Sequence, residues 1–126
     1  MKTLRKDTAR TQKNLLIAAS KIFAEKGFRD TTVAEISKRA KTNLAAINYH
    51  FGDKETLYRE AWRHSFRESI KIYPPDGGVD EKASPEHRLT GRVMALLRRI
   101  TDDGNAEFSI AHQELAKPTG LLEEVM

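Results

Sequence analysis

Between Asn43 and Tyr58 the chain reads NLAAINYHFGDKETLY. Asn48, Tyr49, His50 and Lys54 place an amide, a phenol, an imidazole and an ammonium close together in a chain with few aromatic residues. An asparagine amide can read the edge of an adenine in bidentate fashion in the DNA major groove. The other three groups suit contact with phosphate oxygens where a helix end meets the DNA backbone. Ile47 and Phe51 lie one helical turn apart and so share a face. The opposite face then shows Leu44, Ala45, Asn48 and Tyr49. Small residues let a helix approach the groove closely, and a leucine or alanine methyl can meet a thymine methyl. Asp53 would repel phosphate and is better explained as the cap of the next helix.

Other constellations carry less. Glu60 and His64 stand at i, i+4, a spacing that could offer two metal ligands, but no third lies nearby in sequence, and a surface pair is the simpler reading. His112 follows Phe108 by four and precedes Leu115 by three, so it is expected to point inward, either as a hydrogen-bonded core histidine or toward a bound effector. Gly77-Gly78 lacks the lysine and spacing of a phosphate-cradling loop, and no nucleophile motif surrounds any Ser, His or Asp. The chain contains no cysteine, which removes disulfides and thiolate metal sites. No enzyme, metal or cofactor is expected.

The elements that must hold the Asn43–Tyr58 stretch read as helices throughout, and the expected fold is all-α. Leu15, Ala19, Ile22 and Phe23 mark one helix face that stops at Gly27, with Phe28 placed to pack just beyond. Residues 1–10 are basic without an apolar stripe and read as a flexible arm, with Lys2, Arg5, Lys6 and Arg10 available to a DNA minor groove or to phosphates. Thr32-Val-Ala-Glu35 is a capping box opening a short helix with Val33, Ile36 and Ala40 inward. Residues 40–42 read as a tight turn, Asn43 caps a second short helix, Gly52 ends it, and Asp53 caps a long one. That long helix carries an aromatic-rich stripe of Tyr58, Trp62, Phe66, Ile70 and Tyr73, which reads as core. A polar loop at 74–84 is the best hinge or boundary. A fifth helix follows Ser84-Pro85 with Leu89, Val93, Leu96, Leu97 and Ile100 in line. A sixth carries Phe108, Ala111, His112 and Leu115, and Thr119 could cap a seventh. Two short helices joined by a tight turn are too short to stand alone. Braced by the first and fourth helices, they form a helix-turn-helix, whose second helix enters the major groove.

Charge is divided unevenly. Residues 1–54 hold 12 Lys/Arg against 5 Asp/Glu (+7), and residues 55–126 hold 10 against 13 (−3). A basic head on a mildly acidic body suits a polyanion partner, although a solvated surface gives the same balance. No apolar run nears the ~20 residues that span a bilayer, and the chain reads as soluble and cytoplasmic.

The stretches Thr31-Thr-Val-Ala-Glu-Ile and Asn48-Tyr-His-Phe-Gly-Asp-Lys-Glu-Thr-Leu-Tyr58 resemble the DNA-binding signature of the tetracycline-repressor (TetR) family of bacterial regulators, the specific match covering about residues 12–62. The resemblance implies a DNA-binding head at 1–54 and a helical ligand-binding and dimerisation body at 55–126. It further implies a homodimer on double-stranded operator DNA, released by an unknown small-molecule effector. Carried over by position, the DNA contacts would be Thr32, Val33, Lys41, Asn43, Leu44, Ala45, Ala46, Asn48, Tyr49, His50 and Lys54. An effector would sit among helices four to seven, where Trp62, Phe66, Leu96, Phe108 and His112 are candidates whose apolar character equally fits packing. Two positions depart from the family. Lys41 stands where glycine is common, at a cost of roughly 1 kcal/mol if that residue is left-handed. Asn48 stands where tyrosine is frequent. Family members are also longer, and the two helices that form their dimer interface have no counterpart here. A helical protein–protein module, with the basic head as mere surface, is the competing expectation.

Overall fold

A computed structural model describes the backbone of residues 2–125 and the side chains of residues 7–125. Its six helices are α1 (Lys2–Lys26), α2 (Val33–Arg39), α3 (Leu44–Phe51), α4 (Lys54–Ile72), α5 (Pro85–Ile100) and α6 (Glu107–Ala116). There is no strand among the described residues, in agreement with the all-α expectation.

α1 is the hub, packing against α2, α3, α4 and α6. It begins at Lys2, where a flexible arm was expected. No glycine or proline interrupts residues 2–26, and Asp7 and Arg10 form an i, i+3 ion pair at 3.5 Å, so nothing halts the helix before its apolar stripe begins. The expected DNA contacts of Lys2, Arg5 and Lys6 fall on side chains outside the described residues. α1 ends as its sequence demands: Gly27 adopts φ +80° and donates to the Phe23 carbonyl at 2.8 Å.

One buried cluster runs through the fold. Leu15, Ala19, Ile22 and Phe23 of α1 meet Ile36 of α2, Ile47 and Phe51 of α3, Leu57, Tyr58, Ala61 and Trp62 of α4, and Ile110 of α6. At its centre Tyr58 meets Phe23 edge-on, with ring centroids 4.9 Å apart, and Phe28 at 5.0 Å. Further along α4 the buried line passes to Ser65 and Ser69, while Phe66, Ile70 and Tyr73 are only half-buried. The aromatic stripe therefore leaves the core beyond Trp62, where the small serines face inward.

α6 departs most from expectation. Its buried residues are Glu107, Ile110 and Glu114; His112 is exposed and Leu115 is 75% exposed. The cause is a set of polar partners far away in sequence. The Glu114 carboxylate accepts from Tyr58 Oη (2.8 Å), Thr119 N (2.8 Å), Thr119 Oγ1 (2.8 Å) and Gly120 N (3.0 Å). Gln113 donates to the carbonyls of Ala24 and Glu25, and Glu107 holds Arg99 with bonds of 2.8 and 2.9 Å. These bonds fix the rotation of α6 against its own apolar stripe. Thr119 also accepts from Leu121 N at 3.1 Å, as a cap would, but residues 121–125 form turns in place of the expected seventh helix.

α5 starts as read, with Ser84 capping His87 and proline at the first turn. It buries no residue and makes no extended packing with another helix among the described residues. Leu89, Val93, Met94, Leu96, Leu97 and Ile100 are all exposed. The 74–84 loop is held to the back of α5: a Cβ on Gly77 would run into the backbone of Gly91, and one on Gly91 into Val79.

Burial alone would push the Glu114 carboxyl up, but its hydrogen bonds from Thr119, Tyr58 and Gly120 outweigh this and hold it below its ordinary value of 4.5. A carboxylate depressed in the folded state stabilises the fold above its unfolded pKa, and that stability disappears as pH falls through the folded value. Acid unfolding followed by circular dichroism should therefore steepen below about pH 4.5. Glu114→Gln should flatten that part of the profile and lower stability at neutral pH by about 1–3 kcal/mol.

Candidate nucleic-acid interface

The interface is assembled from short-range caps and two long-range anchors. Thr32 and Glu35 form the capping box: Glu35 N donates to Thr32 Oγ1 (3.1 Å) and Thr32 N to the Glu35 carboxylate (3.2 Å). Lys26 reaches the same carboxylate from α1, and its hydrogen bond leads the effects that hold Glu35 below the ordinary carboxylate range. α2 ends at Ala40, and Lys41 takes φ +57°, the one non-glycine residue with positive φ among those described. Asn43 Oδ1 accepts from Ala46 N at 3.0 Å and opens α3. Gly52 closes α3 at φ +84°, and Asp53 accepts from Thr56 N at 2.7 Å to open α4. Hydrogen bonding from the Thr56 side chain and then from its backbone holds the Asp53 carboxyl below its usual range, so its role is a cap, as its sequence position suggested.

α3 is pinned from behind. Ile47 is 2% exposed and Phe51 8%, whereas Leu44 is 47% and Tyr49 79% exposed, and Ala45 and Asn48 are also open. An exposure of 79% for a tyrosine, on the face opposite two buried anchors, is unexplained by the protein's own packing. His50 sits between, with its ring 5.0 Å from Tyr49 and 6.2 Å from Phe51.

The other residues carried over from the resemblance divide. Lys41, Asn43 and Thr32 are exposed, although the oxygens of Asn43 and Thr32 are already engaged as caps. Val33 and Ala46 are half-buried and pack against the core. Lys54 is half-buried, its ammonium 4.2 Å from the centroid of Phe28. Sequence reasoning passed over Lys21 and Arg39, which line a cleft of about 280 Å³ with Lys41 between α1 and the α2–α3 turn. The Arg-Ala-Lys run at 39–41 carried that signal; Lys21 becomes its neighbour only through the packing of α2 on α1.

The effector candidates divide between an aromatic group and open helix faces. Trp62 stacks on Phe66 at 5.4 Å, and the Arg99 guanidinium lies 5.3 Å from the centroids of both Phe66 and Phe108. Trp62 Nε1 is buried without a hydrogen-bond partner. Leu96 and His112 are exposed on α5 and α6. Glu60 pairs with Arg63, and no group of three His, Asp or Glu among the described residues could hold a metal ion.

Residues 15–61 match the family model described as bacterial regulatory proteins, tetR family. The chain belongs to the TetR family. It is similar to the HTH-type transcriptional repressor BepR of Brucella suis biovar 1, 32% identical over 115 residues that cover 90% of this chain and 54% of BepR. It is also similar to the negative transcriptional regulator of the biofilm operon, IcaR, of Staphylococcus epidermidis, 38% identical over 82% of this chain and 53% of IcaR. Identity to the HTH-type transcriptional repressor NicS of Pseudomonas putida is 40%, over 45% of this chain and 27% of NicS. Among solved structures, an HlyIIR mutant protein superposes with a TM-score of 0.68 at 28% identity, covering 94% of this chain and 62% of that one. The match thus spans about half the length of BepR and IcaR. No helix among the described residues of this TetR-family chain is long and apolar enough to cross a membrane.

Lys41 carries the strain of a left-handed backbone that glycine adopts freely. Lys41→Gly is expected to raise stability by about 0.5–1 kcal/mol, the relief of strain being partly offset by the added freedom of glycine in the unfolded chain. Urea unfolding of the two proteins checks it.

Proposed function

We propose that this protein is a sequence-specific, DNA-binding transcriptional regulator, with a DNA-reading head at residues 1–54 and an effector-binding, dimerising body in residues 55–126. The observation that carries the reading is α3 itself. Leu44, Ala45, Asn48 and Tyr49 are open to solvent, Ile47 and Phe51 are locked behind them, and the exposed cations Lys38 and Lys41 precede α3 in sequence while the half-buried Lys54 follows it. In this reading Asn48 reads a base edge while Lys41, Tyr49, His50 and Lys54 hold phosphates. The standing of BepR, IcaR and NicS as repressors or negative regulators supports repression, and relief by a small molecule follows the family's usual mode. The open apolar face of α5 supports assembly, as a homodimer presenting two copies of α3 to a near-palindromic site about 34–36 Å apart, or a multiple of one DNA turn. The action is placed in the cytoplasm, where the operator lies.

The same open face of α5 favours a second reading, a helical protein-interaction module without DNA binding. The two differ on duplex DNA. Mobility shift against genomic fragments should show retention that weakens steeply with salt as phosphate contacts release counterions; the second reading predicts no retention. Asn48→Ala should cost about 1–3 kcal/mol on the preferred site and narrow the gap between preferred and altered sites. Unchanged relative affinities across site variants would remove Asn48 from the base-reading role.

A further inference from the structure

Lys54 opens α4 beside its Asp53 cap, and its ammonium lies 4.2 Å from the centroid of the Phe28 ring. It makes no ion pair among the described residues; Glu55 and Asp30 act on it only at a distance. The difference matters for what the ammonium can do next. A carboxylate would hold the lysine by neutralising it and would repel any phosphate that approached. An aromatic face attracts the cation through its quadrupole and leaves the charge whole. The free rim of the ammonium keeps its donors, while the four-carbon stem has already given up its rotational freedom.

The ring is itself held in place. Phe28 follows the left-handed Gly27, stacks on Phe23 at 6.2 Å, and tilts against Tyr58 at 5.0 Å. Tyr58 is buried and tied by its hydroxyl to Glu114. Three residues from two helices and the α1–α2 connection thus fix the plane that Lys54 rests on.

We infer that Phe28 is a positioning residue for DNA binding: its ring pre-orders the Lys54 ammonium for a backbone phosphate. This rests on the reading of α3 and the start of α4 as the DNA-facing side. Its size follows from cation–π strength at a partly exposed site, equivalent to a two- to fivefold change in affinity.

The test is a double-mutant cycle on the full 126-residue chain, with dissociation constants on duplexes of several sequences read by fluorescence anisotropy. Phe28→Leu should weaken binding about two- to fivefold on every duplex alike. In a Lys54→Ala background the same substitution should have no further effect. Substituting pentafluorophenylalanine for Phe28 keeps the shape and core packing but reverses the quadrupole. It should reproduce the loss, and it keeps the cycle usable if the leucine variant does not fold. A loss that persists in full without Lys54 would show that Phe28 acts only by packing and would overturn the inference, as would no loss at all. A reading independent of DNA comes from nuclear magnetic resonance of the free protein. The Lys54 side-chain methylene protons should be shifted upfield by the ring, and unshifted protons would overturn the stack directly. Should the wild type retain no duplex while the upfield shift is present, the DNA-binding reading fails and the positioning role falls with it; the stack alone survives.

Discussion

Tyr58 is the residue on which both ends of the described chain close. Its ring fills the space between Phe23 of α1 and Phe28 of the following turn, and its hydroxyl bonds Glu114 of α6. Aromatic pairs of this geometry contribute about 0.5–1.5 kcal/mol beyond the area they bury. A hydrogen bond to a charged group adds about 1.5–3 kcal/mol. Without the phenol, Glu114 would lose one of the donors that make its burial tolerable, and α1, α4 and α6 would lose their common contact. Carboxylates are seldom buried unless paired, and this one has no cation on it among the described residues; three donors from the Thr119–Gly120 turn stand in for one.

α3 inherits its position from that core. Eight residues cannot hold a helix in water by themselves. Caps at both ends fix where it begins and stops, and Ile47 and Phe51 fix which way it turns. Since side-chain direction follows from the 100° step between residues, burying those two leaves Leu44, Ala45, Asn48 and Tyr49 no choice but to face outward. The surface offered to a partner is thus a by-product of how the back of the helix is packed.

This part of the molecule was legible because its signals are local. The capping box, the Asn43 and Asp53 caps, and the glycines at 27 and 52 each act within a few residues, and the structure has all of them where the sequence put them. The face of α3 was legible too, from the spacing of two apolar residues. α6 was misread for the opposite reason. Phe108, Ala111, His112 and Leu115 make the better apolar stripe, but Glu107, Gln113 and Glu114 find partners at Arg99, Ala24 and Tyr58. No pattern within α6 announces those partners, and a glutamate reads as surface until its donors are known. The Lys54–Phe28 contact escaped notice likewise, because it joins residues on either side of the whole helix-turn-helix. The helical N-terminus of α1 is illegible because a basic, stripe-free segment carries no burial signal of its own, while the helix that follows has no breaker to stop it.

The crossing of the 74–84 loop over α5 leaves room for hydrogen alone at two places: Gly77 lies against the backbone of Gly91, and Gly91 against the side chain of Val79. A side chain gained at Gly77 meets only backbone, which nothing can trim, whereas one gained at Gly91 meets a Val79 methyl that a smaller residue would withdraw. The two glycines are therefore unequal: one guards a crossing of main chains and the other a seat for a single methyl, and α5, with so little packing of its own, is tethered near its middle by this junction and near its end by Arg99 on Glu107.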